Sequence, residues 1–293
     1  MVPHEKLLMD RISSLFVTFR TGMAHLRSDR PGLVGFSIVL GFVVVAFLAP
    51  YVSPYDVWRQ YPADVIAPPS WKHPFGADIY GRDVFSRVLW GAQVSLALGV
   101  VAAATSFCVG VFVGSFAGYY GGLFDDLMTR FIDVFIIIPN VMLLILVAAF
   151  VGTSVWYMAI FIGLTMWAST ARITRAQVIT LKERGYVRAT AMLGAGNPRL
   201  LFVHILPNGI YPAITNTTLN IGNAIMTEAG LSFFGLGDKN VITWGQIINM
   251  ATYSTPESWW LVLFPGVAIA LVVLGFNLLG DSLEHKLKPR LLK

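Results

Sequence analysis

The sequence predicts an all-α, polytopic membrane protein with six transmembrane helices. Of its 293 residues, 56% are hydrophobic and 13% are charged, whereas soluble domains are about a quarter charged. The apolar runs reach the roughly 20 residues that a helix needs to cross about 30 Å of hydrocarbon. The same runs exclude a barrel, because barrel strands alternate in polarity and are only about 10 residues long.

The apolar runs divide the chain into an amino-terminal span and a later core of five spans. The predicted spans are 32–53, 93–118, 130–151, 155–173, 209–230 and 259–281. The first span, 32–53, is followed by a proline-rich external loop, 54–91. The core is 92–281, and a tail, 282–293, follows it.

The segment 1–31 is predicted to hold an amphipathic helix on the inner membrane surface. Apolar side chains recur there at three- and four-residue steps, with basic residues between them: Leu8, Ile12, Leu15, Phe19, Met23 and Leu26. No long apolar run lies in the first 30 residues, so we expect no cleavable signal peptide.

The basic residues orient the spans. With both termini in the cytoplasm, 16 of the 21 Lys and Arg residues lie on the cytoplasmic face, as the positive-inside rule requires. The net charge of +5 is therefore explained by topology and gives no reason to expect a nucleic-acid partner. The single cysteine, Cys108, excludes an internal disulfide or a thiolate metal site, and we expect it to be a packing residue.

The external loop ends in the block HPFGADIYGRDVFSRVLWGAQVSLALGV, residues 73–100. A helix beginning near Arg82 would carry Asp83 and Arg87 one turn apart and pair them. The block is either an interfacial lead-in to the second span or an outer collar that faces a delivery protein.

Two features of the second and third spans concern helix geometry. Gly110, Gly114, Gly118 and Gly122 recur every four residues and predict a smooth stripe for close helix packing. Pro139 removes a backbone hydrogen bond and predicts a kink in the third span. That kink either borders a translocation cavity or serves packing alone.

The fifth span carries polar residues on one helical face: Asn216, Asn220, Asn223 and Thr227. Amides are costly against lipid, so this face must turn inward. It either lines the path of a polar solute, for which it offers donors and acceptors, or joins helices across an interface.

The cytoplasmic segment 180–207 predicts two short helices joined at a sharp corner. A helix over about 180–193 should end at Gly194, because glycine readily adopts the left-handed conformation of a helix terminus. Asn197 should cap the next helix, with Pro198 in its first turn. Such a corner can pass rigid-body motion to the neighbouring spans.

Three blocks of the chain resemble the C-type permease subunits of the dipeptide/oligopeptide ABC importer family. They are HPFGADIYGRDVFSRVLWGAQVSL, the segment YVRATAMLGAGNPRLLFVHILPN, and EAGLSFFGLG with the ending FPGVAIALVVLGFNLLGDSLEHKLKP. The second is similar to the family's EAA loop, its contact with the ATPase. The resemblance implies a type I ABC importer permease fold, with 92–281 as the permease core. It also implies ATPase coupling through these residues: Tyr186, Arg188, Ala189, Thr190, Gly194, His204, Leu206 and Pro207.

The resemblance further implies partners: a B-type permease, two cytoplasmic ATPase subunits and an external solute-binding protein. This chain has no phosphate-binding loop, so ATP and Mg would be bound by the ATPase subunits and no catalytic residue is expected here. Family members carry dipeptides and oligopeptides, and others carry nickel chelates, glutathione or oligosaccharides.

The chain departs from the family at Arg188, where the usual residue is glutamate, and at Thr190. If that glutamate meets a basic residue of the ATPase, Arg188 reverses the pairing and implies an acidic partner residue. The tail also departs, at Glu284, His285 and Lys288.

Two other classes of membrane protein compete with this interpretation. A stand-alone secondary transporter should show embedded ionisable residues or an inverted repeat. Asp133, Glu228 and Asp281 all lie near span ends, where snorkelling or interface pairing explains them. A membrane enzyme needs clustered catalytic side chains, and the five histidines are scattered.

Overall fold

The computed structural model describes residues 29–287, without the side chains of 285–287. This part of the chain consists of helices joined by short connections and one longer loop, 53–83. The helices are α1 Arg30–Val52, α2 Val84–Tyr120, α3 Gly122–Ile137, α4 Asn140–Val151, α5 Val155–Lys182, α6 Gly185–Met192, α7 Asn197–Arg199, α8 Leu206–Gly209, α9 Tyr211–Phe233, α10 Trp244–Ala251 and α11 Trp260–Leu287. The predicted amphipathic helix falls on residues before 29 and lies outside the described residues.

Length and hydropathy identify the membrane-crossing helices. Three described helices, α1, α2 and α11, are long and apolar enough to cross a membrane, and the bent pair α3–α4 is a fourth candidate. They correspond to the first, second, sixth and third predicted spans. The other two predicted spans lie in α5 and α9, which carry more polar side chains. The count of six spans therefore stays a prediction.

The third predicted span is not one kinked helix. It starts earlier, at Gly122, and breaks into α3 and α4, which meet at 86°. Ile138 is extended at the break, with φ −69° and ψ 127°, because Pro139 disfavours a helical conformation in the residue before it. The proline therefore turns the chain instead of bending it gently.

The glycine stripe lies in the contact between α2 and α5, the most extensive helix pair of the fold. A Cβ atom on Gly110 would lie 2.6 Å from the Cβ of Thr170, and one on Gly118 would lie 2.7 Å from the carbonyl oxygen of Arg175. Gly114 faces the α5 backbone in the same way. These three glycines let the two helices approach closely.

Gly122 does not belong to this stripe. α2 ends before it, at Tyr120, and Gly121 follows with φ +68°. Gly122 then opens α3 with φ +59°, and no neighbouring atom lies within 4 Å of the Cβ position. The four-residue spacing is thus kept in the sequence but broken in space, because the chain turns at the glycine pair.

The predicted pairing of Asp83 with Arg87 is wrong. α2 begins at Val84, and the Asp83 carboxylate caps it by accepting the backbone N–H of Ser86 at 2.7 Å. Arg87 turns away and donates to the carbonyl oxygen of Val57 at 2.9 Å. Asp83 is committed to the orphan N–H groups of the first turn, which a helix start always presents.

Further charges hold together the outer block, which is the loop 53–83 that precedes α2. Nδ1 of buried His73 lies 2.8 Å from the Asp83 carboxylate. Lys72 donates to Asp64 at 2.7 Å, and this contact holds the pKa of the Asp64 carboxyl below its usual value. The outer block is therefore folded against the start of α2, an arrangement that suits either a lead-in to the membrane or a collar.

Glu228 is buried, so the expectation that snorkelling explains it is wrong. The residue is 2% exposed. Its Oε1 accepts the hydroxyl of Ser232 at 2.6 Å and that of Thr243 at 2.8 Å. The Thr243 oxygen also accepts the backbone N–H of Gln246 and caps α10. Glu228 thus ties α9 to the start of α10.

Candidate functional site

The predicted corner is present between α5 and α9. α5 ends at Lys182, α6 follows, and Gly194 turns the chain with φ +86°, a conformation that favours glycine. A continuous helical stretch then runs through α7, a π-helical segment Leu200–Ile205 and α8. The prediction placed a single helix over 180–193; the chain breaks it at Glu183 and Arg184.

An apolar cluster joins this corner to the ends of two long helices. Val187 of α6 is 3% exposed and packs with Leu201 and Ile205 of the π-helical segment. Val178 of α5 and Tyr119 of α2 complete the cluster. The corner is thus packed onto both α2 and α5. Because close-packed side chains transmit strain, a displacement of α6 would be passed to both helices.

Polar contacts strengthen the same joint. The hydroxyl of Tyr119 donates to Oδ1 of Asn197 at 3.0 Å, and Nζ of Lys182 donates to the carbonyl oxygen of Tyr119 at 2.6 Å. The sequence predicts that Asn197 caps the following helix, and this prediction is wrong. Gly196 occupies the cap position, and the Asn197 side chain is used for the contact with α2.

The tip of the corner exposes apolar side chains. Met192 is 87% exposed and Leu193 is 88% exposed. No residue in the described part of the chain covers them, although Met192 is the last residue of α6 and Leu193 follows it directly. Large apolar side chains gathered at an exposed corner mark a contact surface for a partner.

The residues predicted to couple are divided between this surface and the joint beneath it. Tyr186 is half exposed, and its hydroxyl donates to the carbonyl oxygen of His204 at 3.4 Å. Thr190 donates to the carbonyl oxygen of Tyr186 at 2.8 Å. The exposed members are Ala189, Gly194 and Pro207, and the half-buried members are Thr190, His204 and Leu206.

Arg188 has an ion-pair partner in its own chain. Its guanidinium contacts the carboxylate of Glu183, and the two side chains are 62% and 59% exposed. An exposed pair of this kind contributes at most about 1 kcal/mol to stability. Both charges therefore remain available to a partner surface.

A cavity of about 380 Å³ lies where α3, α4, α5 and α9 meet. Its polar lining consists of amides and hydroxyls: Asn140, Thr165, Ser169, Asn220, Asn223 and Thr227. Its apolar lining is Phe135, Ile136, Met166, Ala168 and Met226. The lining has no ionisable side chain, so the cavity offers hydrogen bonds without selecting a charge.

The predicted amide stripe on α9 divides between packing and this cavity. Asn216 donates to the hydroxyl of Thr170 at 3.0 Å, and Asn220 donates to the hydroxyl of Ser106 at 3.2 Å. These bonds join α9 to α5 and α2. Asn220, Asn223 and Thr227 line the cavity. Asn216 and Asn220 therefore join helices within the chain, and a solute path along this face stays a prediction.

The chain break at Pro139 places a polar residue that the sequence analysis missed. Pro139 itself does not line the cavity, but Asn140, the first residue of α4, does. Thr165 and Ser169 of α5 were missed as well. The sequence signal for Asn140 was its position directly after the predicted break, where a new helix begins.

Two ion pairs hold α3 to α5 on the side of the cavity nearer the corner. Asp125 accepts from Nε and Nη2 of Arg175 at 2.5 and 2.7 Å, and this bidentate contact raises the pKa of the Arg175 guanidinium. Asp133 accepts from Arg172 at 2.5 Å. Within residues 29–287, no cluster of three or more His, Cys, Asp or Glu could hold a metal ion.

Comparison with known proteins gives two family matches. Residues 110–293 match the family described as "Binding-protein-dependent transport system inner membrane component". Residues 19–69 match the "N-terminal TM domain of oligopeptide transport permease C". Together these two matches cover the amino-terminal span and the chain from residue 110 onward.

Several curated proteins are similar over most of their length. The dipeptide transport system permease protein DppC of Alkalihalophilus pseudofirmus is 35% identical over 93% of this chain and 90% of its own. The oligopeptide transport system permease protein OppC of Bacillus subtilis is 36% identical over 94% and 90%. The di/tripeptide transport system permease protein DppC of Pseudomonas aeruginosa is 35% identical over 93% and 91%.

Proposed function

The chain belongs to the family of binding-protein-dependent transport system inner membrane components, and from this premise we propose that it is a permease subunit of an ATP-driven importer of dipeptides or oligopeptides. The relatives that span about nine-tenths of their own length with it are named for dipeptides, di/tripeptides and oligopeptides. The chain itself supplies half of the translocation path and no hydrolytic site.

The observation that carries this proposal is the corner with Met192 and Leu193 at its tip. These two side chains are almost fully exposed, yet the corner beneath them is packed and hydrogen-bonded to α2 and α5. A partner that binds the tip can therefore move two long helices as a unit. An ATPase subunit that closes on nucleotide is such a partner, and alternating access is the motion it would drive.

The cavity supports the substrate half of the proposal. Peptides present amide N–H and C=O groups at every residue, and the lining amides of Asn140, Asn220 and Asn223 match both kinds of group. A lining without charge accepts side chains of either sign. This suits an importer whose external binding protein makes the finer selection.

The proposal places both termini and the corner in the cytoplasm. It requires a B-type permease to complete the path, two ATPase subunits that bind ATP and Mg, and an external solute-binding protein. The distribution of basic residues supports this orientation, because 16 of 21 lie on the face assigned to the cytoplasm.

Affinity purification of the tagged chain from its native membrane tests the assembly. We expect ATPase subunits and a second permease to co-purify, and the complex to hydrolyse ATP. Removal of Met192 and Leu193 together, as Met192→Ser/Leu193→Ser, should release the ATPases but keep the second permease. A chain that purifies alone and still transports would instead support a stand-alone secondary transporter. A complex that moves nickel chelates, glutathione or oligosaccharides and ignores peptides would keep the class and change the substrate.

A further inference from the structure

We propose that the Asp133–Arg172 ion pair is a binding site for the two charged ends of a peptide, at the cytoplasmic mouth of the cavity. This inference rests on the proposed function and adds a subsite to it. Its ligand class is a zwitterion that carries a free ammonium and a free carboxylate. Asp133 would take the ammonium, and the guanidinium of Arg172 would take the carboxylate.

The position of the pair follows from two helices that run in opposite directions. On α3, Asp133 lies one turn before the cavity residue Ile136. On α5, Arg172 lies one turn after the cavity residue Ser169. Residues three apart share a helix face, so each side chain lies on the same side of its helix as a lining residue, just outside the lining itself. α5 runs toward the corner, so the pair lies at the corner side.

The surroundings of the pair require water or a polar partner. Asp133 is 47% exposed and Arg172 is 54% exposed in their side chains. Charges facing hydrocarbon are costly, and Arg172 lies 17 residues into a helix that starts at Val155. At about 1.5 Å per residue that is about 26 Å, which places Arg172 near the inner edge of a bilayer core of about 30 Å, on the cytoplasmic side. The exposed side of the pair therefore faces the water-filled path.

The pair is suited to exchanging partners. A half-exposed ion pair is held weakly, because solvent screens it. A peptide terminus of the right sign can replace either partner with a charge-assisted hydrogen bond of the same kind. The cavity lining is neutral, so a peptide that moves from the cavity toward the cytoplasm meets its first charged side chains at this ion pair. Binding one end at each charge would keep the site electrically balanced.

Cysteine protection tests this directly and needs no binding protein. Ser169→Cys in a Cys108→Ala background places a thiol in the cavity of the assembled complex, next to the pair. Dialanine should slow labelling of that thiol by a maleimide. N-acetyl-dialanine and dialanine amide should need about tenfold higher concentrations, because each lacks one charge-assisted contact.

Variants of the pair separate binding from structure. In Arg172→Gln, dialanine should protect no better than its amide, and in Asp133→Asn no better than its N-acetyl form. The swapped variant Asp133→Arg/Arg172→Asp should recover protection by dialanine, since the termini can bind in the reverse order. Arg59→Gln, which removes one arginine charge from the outer loop, is the matched control and should behave as the parent.

Equal protection by all three dialanine forms would overturn the proposal, and so would no protection by any of them. ATP-driven uptake of labelled dialanine by the same complex, supplied with its binding protein, judges the importer separately. Uptake without protection contradicts the subsite and leaves the importer intact. No uptake of any peptide contradicts the proposed function.

Discussion

The hydroxyl of Tyr119 donates a hydrogen bond to Oδ1 of Asn197 across 3.0 Å, joining the carboxyl-terminal end of α2 to the part of the corner that follows Gly194. The two residues are 78 positions apart in the chain. Lys182 donates to the carbonyl oxygen of the same tyrosine. One residue of α2 therefore receives contacts from both sides of α6, and the corner moves with α2 if it moves at all.

Removal of this hydroxyl should loosen coupling. We expect Tyr119→Phe to lower the number of peptides transported per ATP hydrolysed by about two- to fivefold, since a hydrogen bond contributes about 0.5–1 kcal/mol. The measurement is uptake and phosphate release by the same proteoliposomes. Tyr120→Phe is the control, because it removes a neighbouring exposed hydroxyl. An unchanged ratio in Tyr119→Phe would exclude this bond from coupling.

A methyl group on the glycine stripe should destabilise the helix pair. The Cβ of Gly114→Ala meets the α5 backbone at Ala171, and overpacking costs about 1–3 kcal/mol. We expect a lower midpoint of thermal unfolding in detergent. Gly41→Ala in α1 is the control, because no atom lies within 4 Å of that Cβ position. Equal midpoints for the two variants would show that α2 and α5 are not held this closely.

Charge reversal at Arg188 should lower coupled transport. Arg188→Glu places a second carboxylate beside Glu183, where the structure has an exposed ion pair, and it changes the charge of the surface that we propose meets the ATPase. Thermal stability should hardly change, because exposed pairs contribute little. Uptake that stays normal or rises in Arg188→Glu would show that the departure from the family pattern has no role.

The swapped variant Glu183→Arg/Arg188→Glu separates two causes of such a loss. We expect it to recover most of the uptake, because the swap restores the pair and the net charge of the surface. A swap that stays as impaired as the single variant would instead show that the partner contacts Arg188 itself, and would support an acidic residue on the ATPase.

Buried Glu228 should be needed as a hydrogen-bond acceptor. Glu228→Ala leaves the hydroxyls of Ser232 and Thr243 without their shared acceptor, a loss of about 1–3 kcal/mol. Glu228→Gln keeps an acceptor oxygen and should retain most of the stability. Thermal unfolding of the purified variants measures the difference. An alanine variant as stable as the parent would mean that water satisfies both hydroxyls.

The sequence predicts the fold well where a pattern acts within one segment. Long apolar runs predicted the positions of the long helices. Gly194 predicted the corner, because its positive φ depends on the residue type and not on a contact elsewhere in the chain. The fold of the family follows from the same runs together with the three matching blocks.

Some of the predictions that failed, and one residue that was missed, depend on contacts far apart in the chain. Asn197 has the chemistry of a cap, but Tyr119 of α2 takes its side chain. Glu228 was explained by its place near a span end, because nothing in the neighbouring sequence indicates its partner Thr243, which lies 15 positions away. The position of Asn140 after the predicted break indicates a new helix but not a cavity, since only the meeting of α3, α4, α5 and α9 makes this residue part of one. Local spacing does not encode such contacts.

The most direct test of the whole account is ATP-driven uptake of a labelled dipeptide. Proteoliposomes should hold this chain with its co-purifying permease, ATPases and binding protein, and uptake should be compared with that of Asn223→Leu. We predict saturable uptake that stops without ATP and falls at least severalfold in the variant, since a polar group of the cavity is lost. Peptide uptake that continues without ATP would contradict the account, as would an assembled complex that hydrolyses ATP and moves no peptide.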